Sequence, residues 1–208
     1  IAVMHGLRLM DADPSLGMHS EKRGPGYSAV TGIALAGPKV FISRLGFHGL
    51  VVFDASDPAS PVELGKTMTL GASWDVTIYG NRAYVAHGIL GLGIYDVGDP
   101  QHPVWIDQMW PGGRIETVSI AQGLLAAGRS NGKVYIYDIE GISPELKEIV
   151  DAGWKLDKVE FREGKLWVLK NNGKRAAIFG KNEQGEWEKV GEVTDKAKRY
   201  FFARTRGA

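Results

Sequence analysis

The chain has 208 residues, among them 28 glycines, nine prolines and no cysteine, and its formal net charge is +1. This length supports one sizeable core or two small domains. The absence of cysteine excludes disulfides and thiolate metal sites, and the balanced charge gives no reason to expect a nucleic-acid partner. No apolar run reaches the roughly 18 residues that a membrane span requires. Many glycines and prolines indicate frequent tight turns, which is typical of all-β proteins.

Taken in chain order, the predicted strands fall into units of four, which we name A to D. The second unit shows the pattern clearly, because segments rich in Val, Ile and Tyr are separated by Gly-Asn, Gly and Asp-Pro turns. Its strands are predicted at residues 73–81, 82–88, 91–96 and 103–110. The complete units are predicted at residues 28–70, 73–110, 115–150 and 157–194.

An aspartate that ends strand C recurs at a nearly constant interval. Asp54, Asp96 and Asp138 are spaced 42 residues apart. Gly180 occupies the next equivalent position, and Asp11 lies 43 residues before Asp54. Repeats of this length are typical of solenoids, propellers and arrays, and four short strands without a helical period indicate a propeller blade. The sequence therefore predicts an all-β, five-bladed β-propeller that forms a single domain over the whole chain.

The fifth blade is predicted to combine the two chain ends, residues 199–208 and residues 1–20. "FFARTRGA" followed by "IAVMHGLRLMDAD" parallels "VTIYGNRAYVAHGILGLGIYD" of the second blade. The C-terminal segment then supplies strand A, and the N-terminal segment supplies strands B to D. Such pairing closes the ring and removes the exposed sheet edges that an open array would present.

Two blades share a longer motif. "VFISRLGFHGLVVFDASDPASPVEL" and "AYVAHGILGLGIYDVGDPQHPVWI" both contain a Gly-Leu pair, a strand-ending Asp, an Asp-Pro pair and a further Pro. They resemble the LVIVD repeat, a propeller-forming unit. The third blade keeps Asp138 and Pro144 but lacks the Asp-Pro pair, and the fourth keeps little of the pattern. The resemblance implies a bacterial or archaeal protein that is exported or displayed at the cell surface, in a family without an assigned activity.

The aspartates of these motifs have a structural interpretation. Asp54, Asp96 and Asp138 each end strand C, where a carboxylate can accept the N–H groups of the following turn. Pro58 and Pro100 then fix the backbone of that turn. A calcium loop needs more oxygen ligands, including a glutamate that the chain does not place there. We therefore expect turn residues rather than calcium ligands.

Charged residues share two positions near the predicted channel mouth, on the face that carries the B–C and D–A loops. The ends of the five B strands superimpose His5, Arg44, His87, Arg129 and Lys170. The starts of three A strands superimpose Asp75, Glu116 and Asp157. The sequence thus predicts a ring of basic residues beside three carboxylates.

Three interpretations of this ring stay open. The charges form a mutually neutralised network, because partly buried charges are normally paired. Alternatively the mouth binds a small ligand or a metal, with His5 and His87 as ligands or proton carriers. In the third interpretation Asp75, Glu116 and Asp157 act as acid, base and orienting residue in glycoside hydrolysis, although no sequence motif supports it.

Aromatic residues mark the predicted D–A junctions. Tyr27, Trp74, Trp110 and Trp154 lie there. Exposed rings at such positions can stack on sugars or on the side chains of a partner, and buried ones pack between blades. Both alternatives stay open from the sequence.

No Ser-His-Asp arrangement, P-loop, dinucleotide fingerprint or zinc spacing occurs in the chain. We therefore expect a non-enzymatic interaction domain that presents one face to a protein or cell-envelope partner, with no catalytic residue, cofactor or metal. The alternative is binding of a small ligand, metal or carbohydrate at the channel mouth. Because the chain begins at Ile1, we expect that a signal peptide was removed or lies outside this sequence. The predicted domain is monomeric, extracellular or in the cell envelope, and a candidate part of a larger protein.

Overall fold

The computed structural model of the protein describes residues 2–3, 6–7, 30–45, 49–69, 71–170 and 174–194, the first two pairs as backbone only. The regular elements of these residues are β-strands, as predicted. The chain divides into two compact units, unit 1 (Ile1–Arg114) and unit 2 (Ile115–Ala208). A single domain over the whole chain stays a prediction. A search of the described residues for a membrane-spanning helix finds none.

Unit 1 contains a short hairpin and two four-stranded sheets. The antiparallel hairpin consists of β1 (Ala2–Val3) and β2 (Gly6–Leu7). Sheet 1 consists of β3 (Val30–Ala36), β4 (Lys39–Arg44), β5 (Leu50–Asp54) and β6 (Val62–Thr67). Sheet 2 consists of β7 (Asp75–Tyr79), β8 (Arg82–Ala86), β9 (Leu92–Asp96) and β10 (Val104–Met109). In both sheets every strand pairs antiparallel with its neighbour in the chain.

Unit 2 repeats the same topology in two further sheets. Sheet 3 consists of β11 (Ile115–Ala121), β12 (Leu124–Arg129), β13 (Lys133–Asp138) and β14 (Glu145–Asp151). Sheet 4 consists of β15 (Lys158–Arg162), β16 (Lys165–Lys170), β17 (Arg175–Lys181) and β18 (Trp187–Thr194). Because each sheet is an antiparallel meander, its B–C loop and its connection to the next strand A lie at one end. We call this end the loop side.

The four complete units of the sequence prediction correspond to sheets 1 to 4, strand by strand. The N-terminal strands of the fifth blade are described only as the β1–β2 hairpin, which agrees with adjacent strands B and C. Residues 8–29 and 199–208 lie outside the described residues. The fifth blade, the count of five and the closure of the ring therefore stay predictions.

Every sheet has a β-bulge between strands C and D. The shifts in pairing occur at Val52/Phe53, Trp105/Asp107, Ile136/Tyr137 and Ile178/Phe179. A bulge inserts an unpaired residue, bends the strand and increases its twist. Strand D is an edge strand of each sheet, so the bulge makes that edge a poorer template for pairing with another chain.

The cores form where the buried middle strands of neighbouring sheets meet. Successive side chains of a strand point to opposite faces, and β4 shows this because Phe41 and Ile42 belong to different hydrophobic clusters. Phe41 of sheet 1 shares its cluster with Val85 and Tyr95 of sheet 2. Burial of both faces explains why strands B and C are continuous apolar runs rather than alternating ones.

Within each unit, hydroxyl groups on strand A of one sheet bond to the start of the next sheet at the repeat interval. In unit 1, Thr31 Oγ1 donates to the Ser73 carbonyl at 2.6 Å, across 42 residues. In unit 2, Thr117 Oγ1 accepts from Val159 N at 3.2 Å, also across 42 residues. Thr117 is 2% exposed, so this bond satisfies a backbone donor in the interior. Residues one repeat apart are thus directly bonded.

The strand-ending aspartates accept hydrogen bonds from the backbone of their turns. Asp54 Oδ1 accepts from Ser56 N at 2.8 Å, Asp96 Oδ1 from Gly98 N at 2.8 Å, and Asp138 Oδ1 from Glu140 N at 3.1 Å. These bonds confirm the predicted turn role. The Ser56 hydroxyl and amide lower the pKa of the Asp54 carboxyl, because both bonds favour its charged form.

Candidate functional site

The basic positions of the predicted ring lie at equivalent strand ends on the loop side. Arg44, Arg129 and Lys170 are the last residues of β4, β12 and β16, and His87 directly follows β8. His5 lies outside the described residues. The surroundings of these four residues differ strongly.

Arg44 adjoins a chain of buried hydroxyl groups in unit 1. Thr31 Oγ1 donates to the Ser73 carbonyl, so the Ser43 hydroxyl at 3.1 Å must donate to Thr31. The Ser73 hydroxyl in turn donates to Thr69 Oγ1 at 3.0 Å. The Arg44 carbonyl accepts from Ser73 N at 3.3 Å, and the whole Arg44 residue is only 5% exposed. Arg44 is therefore part of the interior of unit 1.

Asp75, the first residue of β7, lies against strand β3 of the neighbouring sheet. A Cβ atom at Gly32 would lie 2.7 Å from Asp75 Oδ1 and 2.8 Å from Ser43 Oγ. Glycine at position 32 thus leaves room for the carboxylate beside the hydroxyl chain. Asp75 Oδ1 also accepts from Val76 N at 3.0 Å. Arg44 and Asp75 are consequently brought to the same region, through Ser43.

His87 is buried, with 2% of its surface exposed. Its Nε2 atom lies 3.2 Å from the Tyr95 hydroxyl, and the two rings are tilted with centroids 5.7 Å apart. Its Nδ1 atom makes no hydrogen bond within the part of the chain that the structure describes. Burial lowers the pKa of His87 from its ordinary 6.5 to about 4, so the imidazole is uncharged at neutral pH.

The carboxylates of unit 2 are placed differently from Asp75. Glu116 is half-buried and lies in an irregular position of the β11–β12 pairing, between Ile115 and Thr117. Asp157 is exposed, and its backbone N–H donates to the Leu169 carbonyl at 2.7 Å. Arg129 Nη1 donates to the Tyr135 hydroxyl at 3.4 Å. A mutually neutralised ring and a ligand-binding ring both stay predictions.

Lys170 contacts an aromatic ring in unit 2. Its Nζ atom lies 5.9 Å from the centroid of Trp154, and Arg175 Cζ lies 5.0 Å from the same centroid. The two cations are opposite each other in the β16–β17 pairing. The indole is half-buried, and its Nε1 atom is shielded from solvent. Trp154 therefore holds two cations on the loop side of sheet 4 by cation–π attraction.

The other predicted aromatic residues have different environments. Arg114 Cζ lies 4.3 Å from the centroid of the half-buried Trp74 ring, and a Cβ atom at Gly88 would lie 2.8 Å from Trp74 Nε1. Trp110 is 62% exposed. Tyr27 lies outside the described residues.

Exposed apolar side chains converge on the loop side of unit 1. Met68, Ile89 and Trp110 are 66%, 69% and 62% exposed. They lie on contacting loops, because a Cβ atom at Gly71 would lie 2.8 Å from Leu90 Cδ1. The amide of Gln108 donates to the Leu90 carbonyl, and a Cβ atom at Gly91 would lie 3.4 Å from the Cα atom of Trp110. We call Met68, Ile89 and Trp110 the apolar loop surface.

The sequence prediction included Trp110 but missed Met68 and Ile89. Ile89 follows "AYVAHG" in the B–C loop, where polar residues are the usual expectation, and this departure was the available signal. Among the described residues, no group of three His, Asp or Glu could hold a metal ion. Ligand, metal or sugar binding at a channel mouth stays a prediction.

Comparison with known proteins identifies the repeat. Residues 45–69 and 70–108 match the family model of the LVIVD repeat. The matched segments cover parts of sheets 1 and 2, which confirms the resemblance seen in the sequence. No curated protein sequence matches the chain significantly.

Several solved structures are similar in fold at low sequence identity. A protein from Lactobacillus plantarum is 13% identical with a TM-score of 0.69, covering 88% of this chain and 61% of its own. A chain of a nidogen/laminin complex is 10% identical with a TM-score of 0.64, covering 86% and 68%. The computationally designed Ika4 protein is 12% identical with a TM-score of 0.58, covering 73% and 90%. The chain thus spans about three fifths of the Lactobacillus protein. Together with the LVIVD repeats, these likenesses support a repeat β-propeller fold.

Proposed function

We propose that this LVIVD-repeat chain is a non-enzymatic interaction domain that binds a protein partner in the cell envelope through its apolar loop surface. The observation that carries the proposal is the exposure of Met68, Ile89 and Trp110 on contacting loops of unit 1. Large exposed apolar side chains that lie together mark binding sites on soluble proteins.

The composition of the surface suits a protein partner. Trp and Met are enriched in protein interfaces, and Trp is among the residues that contribute most to binding energy. Trp110 is the natural anchor, because its ring is exposed while its backbone is fixed against Gly91. Next to Ile89, the stacked Trp74 and Arg114 provide a cation at the rim. A partner with an exposed apolar segment complements this arrangement.

The family resemblance and one similar structure support an envelope location and a protein ligand. The LVIVD resemblance implies export or surface display, and the similar nidogen/laminin chain belongs to a protein complex. Export is tested by cell fractionation of the source organism with an antibody against the chain. Recovery of the protein in the envelope or the medium is expected, and recovery only in the cytoplasm would contradict this part of the proposal.

The binding surface is tested by cross-linking the purified chain to envelope extract, identifying the partner and measuring its dissociation constant. Trp110→Ala is expected to weaken binding by more than about tenfold, since a central Trp contributes roughly 2 kcal/mol or more. Leu35→Ser is the matched control. Leu35 is 68% exposed in unit 1 but lies at the opposite end of sheet 1, beside the β3–β4 turn.

Equal losses for Trp110→Ala and Leu35→Ser would show that the apolar loop surface is not the binding site. Sedimentation of the purified chain tests whether the apolar loop surface is occupied by a second copy of this chain or is left free for a different protein. A monomer that dissociates from an identified partner supports the proposal. Self-association that Trp110→Ala abolishes would overturn it, because the surface would then be an interface between copies.

A further inference from the structure

A second group of basic side chains lies on the loop side of sheet 4. Lys170 and Arg175 lie 5.9 and 5.0 Å from the centroid of Trp154. Lys155 follows Trp154 in the chain, and Lys174 precedes Arg175, both exposed. We call Lys155, Lys170, Lys174 and Arg175 the basic cluster.

The cluster is largely without neutralising carboxylates. Arg175 donates to Glu192 at 2.7 Å, but Lys155, Lys170 and Lys174 form no ion pair within the described ranges. Lysines on the D strands, in contrast, form ion pairs with nearby glutamates. Lys66 pairs with Glu63, Lys147 with Glu145, and Lys189 with Glu192. The positive charge on the loop side of sheet 4 is therefore available to an anionic ligand.

Trp154 positions the cluster. Cation–π attraction restricts the Lys170 and Arg175 side chains, so part of their conformational entropy is already lost before a ligand binds. Among the described residues, no large exposed apolar side chain lies in residues 152–157 or 170–175, so nothing there inserts into a lipid bilayer.

From this combination we infer that the basic cluster binds the carboxylates of an acidic, extended peptide segment of a partner protein. Lys170 supplies the charge-assisted hydrogen bond, Arg175 stays paired with Glu192 beside it, and Lys155 and Lys174 extend the positive surface along the peptide. The inference goes beyond the proposed function, because the cluster lies in unit 2 and uses neither Met68, Ile89 nor Trp110.

The test measures binding of a synthetic peptide of alternating Glu and Gly to the full chain by calorimetry. A Gln–Gly peptide of equal length is the uncharged ligand control. Lys170→Gln is expected to raise the dissociation constant about tenfold, the loss of one charge-assisted hydrogen bond. Lys181→Gln is the matched protein control, because Lys181 Nζ lies 5.6 Å from the Trp187 centroid in the same sheet and both variants lose one charge and one cation–π contact.

Trp154→Phe separates positioning from folding. An aromatic ring still fills the position, so the chain is expected to fold. The weaker cation–π attraction of a phenyl ring loosens the Lys170 and Arg175 side chains and raises the dissociation constant of the peptide a few-fold. Trp110→Ala must leave peptide binding unchanged, which keeps this inference distinguishable from the proposed function.

Three results would overturn the inference. The first is no preference for the Glu peptide over the Gln peptide. The second is an equal loss in Lys170→Gln and Lys181→Gln, which means nonspecific attraction. The third is tighter binding to phosphatidylserine vesicles or to polygalacturonate than to the peptide, with that binding lost in Lys170→Gln, which assigns the cluster to a lipid or an acidic sugar.

Discussion

Acid is expected to destabilise unit 1 through His87, and the size of the effect follows from its burial. The imidazole is 2% exposed, and its pKa in the folded protein is about 4 instead of 6.5. At pH 7.5 and above the side chain is almost entirely neutral in both the folded and the unfolded chain, so its contribution to stability is nearly constant. As the pH falls from 6.5 to 4, the unfolded chain takes up the proton and the folded chain does not. The free energy of unfolding therefore falls in this window.

The magnitude follows from the two pKa values. Each pKa unit corresponds to about 1.4 kcal/mol, so the stability lost to His87 is roughly 1 kcal/mol at pH 5.5 and roughly 3 kcal/mol at pH 4.5. His87→Phe removes the titration while keeping a ring over Gly93. It also leaves the Tyr95 hydroxyl without its imidazole partner, a cost that does not change with pH because burial raises the pKa of Tyr95 well above its ordinary value.

The assay is urea unfolding at pH 7.5, 6.5, 5.5 and 4.5, chosen to span the titration. The free energy of unfolding of the wild type minus that of His87→Phe should be roughly 3 kcal/mol smaller at the lowest pH than at the highest. Val85→Ala is the control, since Val85 is buried in the same sheet and has no titratable group, so the wild-type minus Val85→Ala difference should stay constant with pH. A wild-type minus His87→Phe difference that is constant over this range would refute the reasoning, because His87 would then take up its proton in the folded state without cost.

Two further predictions concern a close contact at Gly93 and a buried hydrogen bond at Thr117. Gly93→Ala should lower the free energy of unfolding by about 1–3 kcal/mol, because the added Cβ would lie 2.5 Å from His87 Cε1. Urea unfolding measures this loss. Gly191→Ala is the control, because its added Cβ would make an ordinary contact at 3.6 Å. Thr117→Val should cost about 1–3 kcal/mol, because Val159 N loses its buried acceptor. Thr77→Val, whose hydroxyl makes no hydrogen bond to the described residues, should cost less by the same assay, and equal losses would contradict the role of this bond.

The strands and their order follow from local pattern, which explains how much of the fold the sequence predicted. Apolar runs such as "LVVF" and "AYVA" bounded by Gly-Asn and Asp-Pro turns pair most readily with their neighbours in the chain, because a short turn joins them. The repeat interval then fixes which residues are equivalent. The hydrogen bond from Val159 to Thr117 across 42 residues shows that this equivalence is also a contact.

The alignment also placed Arg44, His87, Arg129 and Lys170 correctly at strand ends, but it did not give their environments. His87 is uncharged and buried because the neighbouring strand has glycine at position 93, and Lys170 lies beside a tryptophan that is distant in sequence. Equivalent positions in a repeat share a backbone, whereas their side chains meet whatever the next strand presents.

The sequence by itself determined the number of strands in each described sheet, their order and the turns that join them, because these depend on residues within about one repeat. Only the tertiary structure decided which titratable groups lose their charge and which apolar loops stay exposed. Burial and electrostatic attraction depend on atoms brought together from separate strands, such as Tyr95 on His87 or Arg175 on Trp154. Desolvation acts over a few ångströms in space, irrespective of distance along the chain.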